Sequence, residues 1–164
     1  MSAEKLIDCL RKMVSLHKSL FELENRKTEV IKRGDIGALS SIIKDENKHV
    51  MAINKLEDER KITVVKLLSG YPIQGDEPSL TDVVNVIPST ESSKLLFIKD
   101  QLTLLLEELK QVNRLNQELI YSSLQFVNSS LDLFMPQPQT INYNKPTNKG
   151  QTEPVKRSVF DSKA

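Results

Sequence analysis

LLFIKDQLTLLLEELKQVNRLNQELIYSSLQFVNSSLDLF, residues 95–134, decides how this chain is read. A stripe position recurs every three or four residues: Leu95, Ile98, Leu102, Leu105, Leu109, Val112, Asn116, Leu119, Ser123, Phe126, Ser130 and Leu133. A second row, Leu106, Asn113, Ile120, Val127 and Phe134, runs beside it at sevenfold spacing. Alternation of three and four is the heptad pattern of a helix packed lengthwise against other helices. No proline or glycine interrupts it. The pattern points to a rod-like interaction protein and away from an enzyme with a pocket.

Two more long helices are legible upstream. The first spans residues 3–33, with a stripe of Leu6, Leu10, Met13, His17, Leu20, Glu24, Lys27 and Ile31. Its apolar content fades after Leu23, so its end is expected to be less well buried. Gly34 can take the left-handed conformation that closes a helix, and Asp35 can cap the next one with its carboxylate. A turn this short makes antiparallel neighbours. The second helix spans residues 36–68 and ends at Gly70-Tyr71-Pro72. In the connector, Ser79 and Asp82 are spaced as a capping box for a short helix that Pro88 stops. Ser89-Thr90-Glu91 opens the long third helix, which ends before Pro136. The fold class is therefore all-α, an antiparallel bundle of three long helices over residues 1–135 with a short connector helix. Residues 136–164 hold four of the seven prolines and few apolar residues. Such a tail buries too little apolar surface to offset chain entropy, and disorder is expected.

Composition narrows the function classes. The chain has 164 residues, 38% hydrophobic and 27% charged, with a net charge of +1. That balance calls for neither nucleic acid nor an anionic membrane surface as partner. No run approaches the ~18 apolar residues of a membrane span, and MSAEKLIDCLRKMV lacks the form of a signal peptide. One cysteine, Cys9, allows no internal disulfide, which fits a reducing compartment. A soluble cytoplasmic protein without stable membrane insertion is expected.

Candidate chemistry is sparse. Glu46-x-x-His49 has the spacing of one half of a di-iron site, but the chain has two histidines and no second pair. No metal or cofactor is expected. Cys9 reads as a small helix-surface residue, with no sequence-near basic partner beyond Arg11 and Lys12. Phosphate loops, nucleophile elbows and zinc-type cysteine pairs are lacking. Catalytic residues are accordingly none, and the protein is expected not to be an enzyme.

The third helix carries the sharper signal. On a wheel centred at Leu119, the residues Ile120, Leu124, Phe126, Val127, Leu131, Leu133 and Phe134 fill an arc of roughly 180°, where one core face needs ~100°. One reading makes this helix the central one. Length opposes that for the whole span: at 1.5 Å per residue it should reach ~65 Å against ~45–50 Å for the others. Its last two or three turns should overhang, and an exposed apolar patch of that kind marks a protein interface.

Two segments resemble a known family. Gly34-Asp35-Ile36-Gly37-Ala38-Leu39-Ser40-Ser41-Ile42-Ile43-Lys44-Asp45-Glu46 is similar to the turn and second-helix opening of FlgN-type flagellar export chaperones. Asn116–Phe134, with Ser-Leu-Gln-Phe-Val-Asn at its centre, looks like that family's late third helix. The resemblance covers residues 1–135. It implies a cytoplasmic chaperone that binds C-terminal helical segments of hook-associated (hook–filament junction) proteins and delivers them to the flagellar export apparatus. By position it implies a contact surface of Leu119, Ile120, Leu124, Phe126, Val127, Leu131 and Phe134, with Asn113, Asn116 and Asn128 as hydrogen-bonding partners. The competing expectation is a coiled-coil adaptor or scaffold whose third helix forms a homodimer seam, so self-association without a client is the alternative to test. Ser158-Val159-Phe160 in the tail, beside a basic pair, raises a third idea, self-masking of the late third helix.

Overall fold

The computed structural model describes residues 3–72 and 77–135. The tail and its self-masking segment lie outside the described residues. Helix α1 (Glu4–Arg33) closes at Gly34, whose φ of 69° is open to glycine and strained for other residues. There the Gly34 N–H donates to Ile31 O at 3.0 Å and the Asp35 N–H to Val30 O at 3.3 Å, a Schellman closure. Asp35 then caps α2 (Ile36–Leu67), its Oδ1 accepting from the Ala38 N–H at 2.9 Å. These two residues make the α1–α2 hairpin as the sequence predicts.

Short helix α3 (Leu80–Val86) carries the expected capping box: Ser79 Oγ accepts from the Asp82 N–H at 3.2 Å, and the Ser79 N–H donates to Asp82 Oδ2 at 2.9 Å. The long helix α4 (Ser89–Phe134) opens after Pro88 with no side-chain cap of its own. Its Glu91 turns instead to α1, where Oε2 accepts from the Ala3 N–H at 2.6 Å. The carboxylate thereby fills one of the open donors at the start of α1.

Helix α1 is the centre of the bundle, not α4. It packs against both α2 and α4, whereas α2 and α4 come nowhere within 8 Å, Cα to Cα, among the described residues. Direction follows from cross-helix partners. Cys9 Sγ meets Leu56 O and Lys27 meets Glu46, so α1 and α2 are antiparallel. Ala3 meets Glu91 and Thr28 meets Asn116, so α1 and α4 run side by side in one direction. The apolar core gathers at one end: Leu6, Leu10, Val64, Val83 and Leu95 are fully buried there, with α3 closing over them.

Two local expectations change. Cys9 is core, not helix surface; its burial pushes the thiol up and keeps it unreactive. The last turns of α1 are also better buried than their composition suggests. Glu24, Lys27 and Thr28 all sit below the surface, because α2 and α4 bring polar partners to them. His49 and Glu46 diverge: His49 lies against Ser19 Oγ at 2.8 Å, and Glu46 against Lys27.

Candidate partner-binding surface

Asn116 divides α4 in two. It is fully buried, 0% exposed, and its amide is spent inside the bundle. Nδ2 donates to Glu24 O at 3.0 Å and to Glu24 Oε2 at 2.8 Å, while Oδ1 accepts from the Thr28 hydroxyl at 2.6 Å. The contact surface implied by position therefore loses Asn116: a side chain with every hydrogen bond satisfied internally has nothing to offer a partner. A polar residue in a heptad seam fixes register, here that of α4 on α1.

Beyond Asn116 the bundle runs out. Thr28 lies opposite Asn116, and α1 ends a few residues on at Arg33. Helix α4 continues to Phe134, about 20 Å past the α1–α2 turn at 1.5 Å per residue. On this overhang Phe126 is 74% and Phe134 85% exposed, and Tyr121, Leu124, Val127, Leu131, Leu133 and Met135 are each at least half exposed. Leu119 and Ile120 are half-buried, at the point where α4 leaves the hairpin. Asn113 and Asn128 are exposed, one on each side of that point. Ser123 and Ser130 hold the stripe positions between the large residues. Their hydroxyls donate back to Leu119 O and Phe126 O, both at 2.8 Å, so the stripe shows small gaps and no free donors there.

The sequence reading missed the notch under the overhang. Val30 and Ile31 from α1, Ile36 and Leu39 from α2, and Ile120, Leu124 and Val127 from α4 enclose an apolar recess of about 370 Å³ at the hairpin tip. Ile36 is 79% exposed although it follows the cap directly. A large apolar residue at a turn was the signal available; it reads as the first core residue of α2 until the geometry of the tip is known. The overhang and the notch together form a continuous apolar face able to take another helix lengthwise.

Nothing in this face resembles a catalytic constellation. It is an exposed apolar surface, and its charged groups, Glu118 and Asp132, lie outside the stripe. Among the described residues no helix is long and apolar enough to cross a membrane, so the exposed apolar face is not accounted for by a span.

Comparison with known proteins yields one family. A family model described as FlgN protein matches residues 1–152. Among curated proteins, the chain is similar to the uncharacterized protein YvyG of Bacillus subtilis (strain 168), with 31% identity over 164 residues and 100% of each chain covered. No solved structure matches it.

Proposed function

The chain belongs to the FlgN family of flagellar export chaperones, and from that premise we propose that it holds the C-terminal helical segments of hook-associated proteins in the cytoplasm. It keeps these clients from assembling early and passes them to the flagellar type III export apparatus. One observation carries this reading: α4 outruns its own bundle and leaves a row of large apolar side chains without a partner among the described residues.

The mode is helix-in-groove recognition. Leu119, Ile120, Leu124, Phe126, Val127, Leu131 and Phe134 form the contact surface, and Asn113 and Asn128 supply hydrogen bonds at its edge. Each large apolar side chain fully covered contributes about 1.5–3 kcal/mol before the cost of ordering the client. Most of the seven must be covered together to leave, after those costs, the −8 to −12 kcal/mol, roughly micromolar to nanomolar, that suits a complex which must later come apart. The same contacts mask the client's own apolar face, which is what prevents premature assembly.

The test is light scattering after size exclusion, on the full chain alone and mixed with the C-terminal segment of a hook-associated protein from the same organism. A one-to-one complex is expected, lost in Phe126→Asp with helicity unchanged. A self-dimer with no complex would replace this reading with a coiled-coil scaffold.

A further inference from the structure

Among the described residues α2 and α4 stay more than 8 Å apart, Cα to Cα, so a strip of α1 between them lies at the bottom of a cleft, with α2 as one wall and α4 as the other. Towards the core end the cleft holds about 570 Å³, between Val50 and Ile53 of α2 and Leu106 and Asn113 of α4. Further along, between the same two helices, lies the separate apolar notch of about 370 Å³ at the hairpin tip, beside the overhang. Both walls repeat at helical intervals. On α2 the row is Ile36, Leu39, Ile43, Glu46, Val50 and Ile53; on α4 it is Leu106, Asn113, Ile120 and Val127, seven apart. From Ile53 to Ile36 the wall is about 26 Å long. Rows spaced by three, four and seven residues offer holes that only the knobs of another helix match.

The lining of the cleft is not neutral. Glu24, Lys27 and Glu46 bring two carboxylates to one ammonium. Lys27 Nζ stands 3.5 Å from Glu24 Oε2 and 2.8 Å from Glu46 Oε1. Among the described residues that single ammonium is the only cation beside the two carboxylates, and Glu46 Oε1, itself buried, leans on it. Glu24 is already served by Asn116. The other cation on this lining, Lys110, is exposed to solvent at the rim.

We infer that the client segment does not stop at the overhang but continues into this cleft as a fourth helix, its apolar stripe between the α2 and α4 rows and one basic side chain on Glu46. This rests on the chaperone reading above. A guanidinium or ammonium beside Glu46 balances the second carboxylate, which Lys27 alone does not. A second copy of this chain fits less well. Its exposed apolar segment, residues 115–135, contains no lysine or arginine to place there. A filled cleft also gives a four-helix arrangement with the facing α2 and α4 rows covered.

The experiment is a calorimetric titration of the full chain with the C-terminal peptide of a hook-associated protein, using wild type, Phe126→Asp, Val50→Asp, Leu106→Asp and Glu46→Gln. Val50 and Leu106 are already about half exposed, so their variants are expected to keep wild-type helicity and melting. Val50→Ser and Leu106→Ser replace them should either aspartate variant unfold. Each cleft variant is expected to weaken binding about tenfold or more, the order of one buried apolar side chain, and Glu46→Gln about threefold to tenfold. Full affinity in the cleft variants with binding lost in Phe126→Asp would overturn the inference and leave the chaperone reading intact. Loss in the cleft variants with full affinity in Glu46→Gln would overturn the basic contact. A self-dimer of the client-free protein that Val50→Asp dissolves would assign the cleft to a second copy and overturn the inference. Full affinity in every variant would overturn the inference, and no binding of the peptide by wild type would remove the chaperone reading itself.

Discussion

The two halves of α4 have the same kind of sequence and opposite surroundings. From Leu95 to Asn116 the stripe is buried: Leu95, Ile98, Leu105 and Leu109 lie against α1. From Leu119 to Phe134 the same repeat continues, yet Phe126, Leu133 and Phe134 are among the most exposed residues of the helix. The polar residues invert as well. Asn116 in the first half is fully enclosed, while Asn128 in the second is in water. A heptad repeat thus sets what a helix is able to pack, and the length of its neighbours sets what it does pack. Where α1 ends, an internal seam becomes an external one without any change in the repeat.

The contrast can be broken most directly by matched truncations. Leu95→Ala removes a fully buried side chain and is expected to cost about 2–5 kcal/mol in chemical denaturation. Phe126→Ala removes a larger one and is expected to stay within about 0.5 kcal/mol of wild type. Equal losses would mean that the overhang is covered in the free protein, by a second copy if the loss depends on protein concentration. The next effect in size concerns the boundary. Asn116→Ala takes from the Glu24 carboxylate its amide donor and leaves the Thr28 hydroxyl only its longer bond to Glu24 O, at an expected cost of about 1–3 kcal/mol. Asn128→Ala should change stability by no more than about 0.5 kcal/mol. If Asn116→Ala proves neutral, the register of α4 on α1 is held by the apolar stripe alone.

Local signals carried most of the fold. Gly34-Asp35, the Ser79 and Asp82 box and the proline-free run after Ser89 each act within a few residues, so their outcome is written in sequence. The order of packing was less legible. An arc of about 180° of apolar residues on the third helix suggests a central helix, but α1 holds that place, because the third helix spends part of its arc on the overhang. The burial of Glu24, Lys27 and Thr28 was hidden for a related reason. Single polar residues read as exposed until their partners, Asn116 some ninety positions later and Glu46 across the hairpin, are brought to them. On the candidate surface, periodicity and length located the overhang. The notch needed three helices at once, and no single segment of sequence contains it.

The smallest expected effect sharpens where the clamped half ends. Glu46 lies across from Lys27 and Glu24, at the level of Asn116. Its carboxyl is raised above the ordinary value, chiefly by burial and secondarily by Glu24, with Lys27 opposing. A carboxyl raised in the fold binds its proton more tightly folded than unfolded. Its contribution to stability is therefore complete below the unfolded value and is lost as pH rises through the folded one. At neutral pH the ionised Glu46 is held at a cost that acidification relieves. Glu57, which Arg60 holds below its ordinary value, has the opposite sign and loses its contribution as pH falls. It titrates alike in wild type and in Glu46→Gln, so it cancels when the two are compared. The stability of wild type relative to Glu46→Gln is expected to rise as pH is lowered from 7 towards about 4.5, the ordinary glutamate range, and denaturation at each pH measures it. A difference independent of pH would mean that water reaches Glu46 as freely as it reaches the overhang. The clamped half would then end one turn before Asn116, and the cleft floor would begin in solvent.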